Sequence, residues 1–316
     1  MLTSETHARA VDVLRALVVK PGDCLLSSGS RQAGLGNVHS DWDYYLVLED
    51  EDDELAGGAE SFGGPDYLDC EVLSTARVRR LGARLREAAD APLALKGLTL
   101  AELDLYYRLI ISEPMVNPRA RDSALRGFSL ATFTSVYTSW TRSQASPLLA
   151  LAVAAVGVDP RYAAILAREA FSWATECLLA QRGQGYPNRK WWFERASACV
   201  TEELLLDQLW SLRNIGAAEP AKYVHDVARF CLTRLGLEPP QNRESAVRLA
   251  VPGSVLVDDF VILRPAIGAL KLSLAGLGTL PEGLARGELV TLRTATERSW
   301  AGLLRQAGVL ELDEVG

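Results

Sequence analysis

Apolar residues recur at helical intervals between Ser4 and Lys20. Val11, Leu14 and the pair Leu17/Val18 mark one face, and Pro21-Gly22 ends the run. The period then changes. Asp23 to Ser28 is a short apolar run that predicts a strand, and it breaks at Gly29-Ser30 before a turn-rich stretch holding Gly34, Gly36 and Asn37. Asp41 to Leu48, rich in aromatic and branched residues, predicts a second strand, and Tyr67 to Leu73 predicts a third. The loop from Gly57 to Pro65, rich in Gly and Pro, lies between them. From Ser74 the spacing is helical again. Val78, Leu81, Leu85 and Ala88 form one stripe, and Thr99 with Glu102 forms a capping box for a helix running through Leu109.

Between about Leu125 and Leu235, long Ala/Leu-rich segments are punctuated at Asp159-Pro160, Gly183 to Pro187 and Gly216, the pattern of an antiparallel helix bundle. Pro239-Pro240 marks a further boundary. The expected fold is therefore an α/β N-terminal domain, a small mixed sheet with helices, over residues 1–122. An α-helical bundle follows over 123–240, then a small mixed C-terminal subdomain over 241–316. That subdomain is expected to hold a hairpin from Val247 to Leu263 around Pro252-Gly253 and a terminal helix from Leu289 to Leu304.

Charge narrows the classes of partner. The 316 residues include 33 Lys+Arg against 40 Asp+Glu, a formal net charge of −7. Six of those seven charges match one run, Glu49-Asp50-Glu51-Asp52-Asp53-Glu54, so the rest of the chain is close to neutral. Such a balance argues against sequence-independent binding to nucleic acid or an anionic membrane, which needs clustered Lys and Arg. Arg79, Arg80, Arg84 and Arg86 form one local basic cluster. Cys24, Cys70, Cys177, Cys199 and Cys231 are widely spaced without a CxxC, which reads as buried reduced thiols rather than a disulfide framework. With no apolar leader after Thr3, Ser4 and Glu5, and no apolar run near the ~20 residues of a membrane span, a cytoplasmic setting is expected.

The chemistry concentrates between Leu25 and Leu73. Side chains alternate along a strand, so Asp41 and Asp43 project together while Trp42 and Tyr44 project the other way. Two carboxylates side by side repel each other unless a cation sits between them. A hard divalent ion suits that need, and Mg²⁺ commonly takes one or two carboxylates plus phosphate oxygens. Upstream, Gly29 permits close approach of backbone to a phosphate, Ser30 adds a hydroxyl and Arg31 a fixed positive charge. Asp69 and Glu71 repeat the two-residue interval on the third strand, so pairing of the two strands would gather three or four carboxylates and a pair of Mg²⁺ ions.

Gly29-Ser30-Arg31-Gln32-Ala33-Gly34, then Ser40-Asp41-Trp42-Asp43, with a later Leu68-Asp69-Cys70, resembles the polymerase-β-like nucleotidyltransferase superfamily. In motif it is most similar to the small bacterial antibiotic-type nucleotidyltransferases, over about Leu25 to Leu73. The resemblance implies that Gly29 and Ser30 hold the β- and γ-phosphates of an NTP and that Asp41 and Asp43 ligate two Mg²⁺ ions. Asp69 corresponds to the third carboxylate, a metal ligand and helper in deprotonating the acceptor, with Glu71 as its rival. Gly185 to Trp191 resembles a Lys-Trp element of these enzymes, which brings in Lys190 as a contact to the triphosphate.

The expected reaction is transfer of an NMP, AMP from ATP in the first instance, onto a hydroxyl of a small molecule such as an antibiotic or biosynthetic intermediate. Pyrophosphate leaves, and the acidic run favours a cationic acceptor. Two alternatives stand beside it. One is a toxin-like enzyme modifying tRNA or protein, with Arg79 to Arg86 as an RNA face, and the other is an NTP-binding relative without turnover. A homodimer is compatible with the sequence, and no membrane partner is expected. The active site is expected in the cleft between sheet and bundle.

Overall fold

The computed structural model describes residues 11–37, 40–49, 59–62, 68–157, 159–214 and 219–235. It also describes the strand segments 246–249, 255–257, 260–263, 270–273, 290–291 and 310–313. The chain forms two compact units, Met1–Ser139 with Leu179–Cys199, and Trp140–Leu178 with Val200–Gly316.

The first unit is built on a five-stranded mixed sheet. Helix α1 (residues 11–16) leads into β1 (Cys24–Ser28), helix α2 (Gly29–Gln32) and β2 (Trp42–Leu48). Strands β3 (Ala59–Phe62), β4 (Leu68–Ser74) and β5 (Glu113–Val116) complete the sheet in the order β3-β4-β2-β1-β5. Only β2 and β4 run parallel. The alternation of β2 and β4 does the sorting. Tyr44, Leu46, Leu68 and Cys70 pack with Leu25 against Val11 and Leu14 of α1, which buries one face of the sheet. Asp43, Tyr45, Asp69 and Glu71 are on the other.

Three expected strands are present, with β1 buried throughout. Two more were not foreseen. Strand β3 falls in the stretch read as a Gly/Pro-rich loop. Strand β5 has four residues, one of them Pro114, too short and irregular to show alternation. Glu113 is on β5 opposite Ser27.

Asp23 fastens the entrance to the sheet. Its Oδ2 accepts from the N–H groups of Lys20 at 2.8 Å and Val19 at 3.1 Å, and its Oδ1 from that of Glu49 at 2.8 Å. Burial alone would raise its pKa, but these backbone bonds outweigh it and hold the carboxyl below its ordinary value.

Helix α3 (Thr75–Asp90) begins where Ser74 accepts from the N–H of Arg77 at 3.0 Å, and it buries the stripe Val78, Leu81, Leu85 and Ala88. After a 3₁₀ turn (Pro92–Gly97), helix α4 (Leu100–Ile111) opens with the Thr99/Glu102 capping box. Helix α5 (Pro118–Ala124) follows β5. Around α4 the aromatics form a layer. Tyr106 stacks on Phe128 at 4.2 Å between ring centres, and Tyr107 meets Phe133 at 5.0 Å and Tyr186 at 5.5 Å. Tyr186 belongs to the returning segment, which carries the 3₁₀ turn Arg189–Trp191 and helix α8 (Trp192–Cys199).

Two long helices, α6 (Leu130–Ala155) and α7 (Pro160–Gln181), supply residues to both units. In the second unit, their later and earlier parts accompany α9 (Glu203–Asn214) and α10 (Pro220–Leu235). Ala163, Ala167, Ala170 and Ala174 are fully buried along one face of α7, small side chains that let neighbouring helices approach closely. Trp140 meets Trp173 and Phe171 meets Phe230, each pair edge-on at 5.2 Å, so α6, α7 and α10 pack together. All five cysteines are free thiols, four of them buried.

In the C-terminal segments, β6 (Ala246–Leu249) pairs with β10 (Val290–Thr291) and β11 (Leu310–Asp313). Strands β7 (Val255–Val257), β8 (Phe260–Leu263) and β9 (Leu270–Ser273) form a second antiparallel sheet. Within the stretch expected as a hairpin, Val247 to Leu249 pair with β10 and β11, and β7 pairs with β8; Val290 and Thr291 are in β10. Pro252-Gly253 and the rest of Leu289 to Leu304 lie outside the described residues. No helix among the described residues is long and apolar enough to cross a membrane.

Candidate active site

Strand register brings the motif residues together. Asp43 is opposite Ser28 on antiparallel β1 and opposite Asp69 on parallel β4, while Tyr45 is opposite Glu71. Asp41 immediately precedes β2 on the same alternation as Asp43. Three carboxylates, Asp41, Asp43 and Asp69, therefore share one end of one sheet face. Their mutual repulsion is felt at Asp43, whose pKa is raised. Burial is the main cause, Arg108 opposes it by charge and hydrogen bond, and Asp41 and Asp69 reinforce it.

Gly29 fits this corner as no other residue could. Its φ is +83°, and a Cβ there would lie 1.8 Å from Oδ2 of Asp43. The backbone thus turns against the carboxylate itself. Ser30 is buried behind it, its carbonyl accepting from the N–H groups of Gly36 at 2.8 Å and Leu35 at 2.9 Å. Gln32 donates from Nε2 to the Ser27 hydroxyl at 2.9 Å, and its Oε1 is buried without a hydrogen-bond partner among the described residues.

Arg31 and Lys190 take positions of their own. The guanidinium of Arg31 donates to the Ser40 carbonyl from Nη2 at 2.7 Å and Nε at 3.1 Å, and it stacks 4.2 Å over Trp42. That clamp sets the loop just ahead of Asp41. Lys190 is exposed, with Nζ 5.3 Å from the centre of the Trp191 ring. Glu71 is paired with Arg77 at 3.2 Å. His39 and Asp50 to Glu54 lie outside the described residues.

The structure adds residues that the motif did not include. Arg108 of α4 reaches Oδ1 of Asp43 with Nη1 at 2.8 Å and Oδ2 of Asp104 with Nε at 2.8 Å. The Ser28 hydroxyl donates to the Arg108 carbonyl at 2.5 Å, joining α4 to β1. Burial acts against the Arg108 charge, but Asp104 outweighs it, with Tyr45, Tyr186 and Asp43 adding, so the group stays protonated far above its ordinary range. Asp104 is raised, chiefly by burial, against the opposing pull of Arg108. Tyr186, nearly fully buried, is pushed up to about 12 by burial. The spacing Asp104-x-x-x-Arg108 is a weak sequence signal for this layer, since any solvated helix can show it.

The donor set can be tested against a divalent ion. Among the described residues no three His, Cys, Asp or Glu side chains gather tightly enough to hold a metal by themselves. The crowded, partly buried Asp43 with Asp41 and Asp69 beside it suits a hard ion bound by one or two carboxylates and completed by phosphate oxygens. An all-protein cage it is not. No protein-family model matches the chain, and no curated protein matches it.

Proposed function

We propose that the protein is a nucleotidyltransferase that moves the NMP of an NTP, ATP in the first instance, onto a hydroxyl of a small molecule. One observation carries the reading: Gly29, at positive φ, is packed against the carboxylate of Asp43, with Asp41 and Asp69 beside it. A backbone turn beside clustered carboxylates is what a triphosphate and its cation require together.

In this reading the acceptor oxygen forms a bond to the α-phosphorus as the bond from that phosphorus to the bridging oxygen breaks. Pyrophosphate leaves with the electron pair. The hydroxyl proton passes to Asp69, the most exposed of the three carboxylates and so the easiest to return it to water. The turn at Gly29 and Ser30 orients the β- and γ-phosphates, and Arg108 opposes the burial that raises the pKa of Asp43. Asp41, Asp43 and Asp69 would hold two Mg²⁺ ions, which supply neutralisation of charge on the phosphates. The free thiols favour a reducing, cytoplasmic setting.

Calorimetric titration with non-hydrolysable analogues of the four NTPs, with and without Mg²⁺, tests the reading. Saturable, metal-dependent binding that is lost in Asp41→Ala and Asp43→Ala is expected. Silence with every analogue, or binding indifferent to both substitutions, would overturn it.

A further inference from the structure

A pocket of about 570 Å³ lies on the same side of the sheet, between α3 and α4. Its size is that of a small-molecule site. Arg77, Arg80 and Arg84, spaced along one edge of α3, line it together with Arg108 of α4. Against these four guanidinium groups stand three carboxylates, Glu71, Glu102 and Asp104. In a chain with net charge −7, this is a local reversal of sign. Tyr45, Leu81 and Leu105 also line the pocket.

Two features connect it to the carboxylate corner. Arg108 belongs to the pocket wall and touches Asp43 at 2.8 Å, so a molecule in the pocket is one guanidinium away from the candidate reaction centre. Arg84 is paired with Glu102 and donates to the Gly97 carbonyl, so a ligand has to compete for it, whereas the Arg77 pair is readily exchanged. Arg77 and Glu71 are both about a third exposed, and pairs of that kind add little net stability. A phosphomonoester carries nearly two charges and three acceptor oxygens, more of both than a carboxylate offers, and can engage two or more arginines at once.

We infer that this pocket receives the acceptor and that the acceptor is a phosphate-bearing small molecule, its phosphate held by Arg77, Arg80 and Arg84. The inference rests on the nucleotidyltransferase reading and names its substrate class. It reverses the cationic acceptor suggested by the acidic run, because the pocket lining carries four arginines against three carboxylates.

The test is titration of the full chain with glycerol 3-phosphate and inorganic phosphate, with glycerol as control, at constant ionic strength. Saturable binding of both phosphate compounds and none of glycerol is expected. Arg80→Gln should weaken it about tenfold, Arg80→Lys should restore part of it, and binding of the Mg²⁺–NTP analogue should be unchanged. No phosphate binding would overturn the inference. So would an equal loss of phosphate and nucleotide binding in Arg80→Gln, which would make the pocket part of the donor site. Failure of the nucleotidyltransferase reading looks different, since nucleotide analogues then fail to bind the unaltered protein.

Discussion

Arg108 and Asp43 are 65 residues apart in sequence and 2.8 Å apart in space, Nη1 against Oδ1. The same guanidinium reaches Asp104, so one cation serves two carboxylates that burial disfavours. Such a group sets the protonation of the site as well as its shape.

The first prediction concerns that cation. In Arg108→Gln, Asp43 and Asp104 keep the burial that raises their pKa and lose the charge that offsets it. A carboxyl group with a folded pKa above its unfolded value contributes most below the unfolded value, and stability falls as pH rises through the interval between the two. The variant should therefore lose roughly 2 kcal/mol at about pH 8 and clearly less at about pH 5. Urea midpoints at both pH values measure this. An equal loss at the two would show that the pairing does not control ionisation.

Asp69 and Glu71 should separate in activity. Asp69 is exposed and directly opposite Asp43, whereas Glu71 is opposite Tyr45 and paired with Arg77. Asp69→Asn should lower pyrophosphate release about 100-fold, and Glu71→Gln should leave it within about threefold. The reverse order would make Glu71 the third carboxylate.

Gly29→Ala should damage fold and site together. A Cβ at φ +83° is strained, and its contact with Asp43 at 1.8 Å forces that carboxylate aside. A loss of roughly 2 kcal/mol or more is expected in urea denaturation, along with loss of NTP-analogue binding. A variant of full stability and unchanged binding would refute the close packing of Gly29 on Asp43.

Asp23 should behave oppositely to Asp43 with pH. Its folded pKa is depressed, so its contribution is complete above the ordinary aspartate value near ~4 and is lost as pH falls through the folded value. Asp23→Asn cannot accept all three backbone bonds and should cost on the order of 2 kcal/mol at neutral pH. The gap between variant and parent, followed by urea denaturation from neutrality downwards, should narrow below about pH 4. A gap that stays constant would mean that the carboxylate charge does not matter.

Strand β1 was legible as a short apolar run, buried throughout, and β2 through its aromatic and branched residues. Tyr44, Leu46, Leu68 and Cys70 alternate with polar partners, and that alternation also placed Asp41, Asp43, Asp69 and Glu71 on one face. The capping box at Thr99 and Glu102 was visible for a similar reason, since its chemistry is local. What escaped was long-range. Neither β5, with four residues, nor the approach of Arg108 to Asp43 leaves a periodic trace, and a pocket formed by α3 and α4 depends on how two helices meet. In sequence the arginines of α3 cluster at Arg79, Arg80, Arg84 and Arg86, whereas the pocket takes Arg77, Arg80 and Arg84. Local spacing gives membership of a helix, and only packing decides which edge lines a pocket.

The register of β4 against β2 carries an evolutionary consequence. A slip of one residue would set Cys70 opposite Asp43 and turn the apolar side of the strand outward. A slip of two would set Glu71 there, with Cys70 and Val72 taking the core positions of Leu68 and Cys70. The Asp-x-Glu spacing therefore makes the strand redundant, with an acid facing Asp43 in either frame. Descendants of this chain can shorten the connection before β4 by two residues and exchange Asp69 for Glu71 opposite Asp43 without passing through a form that has neither.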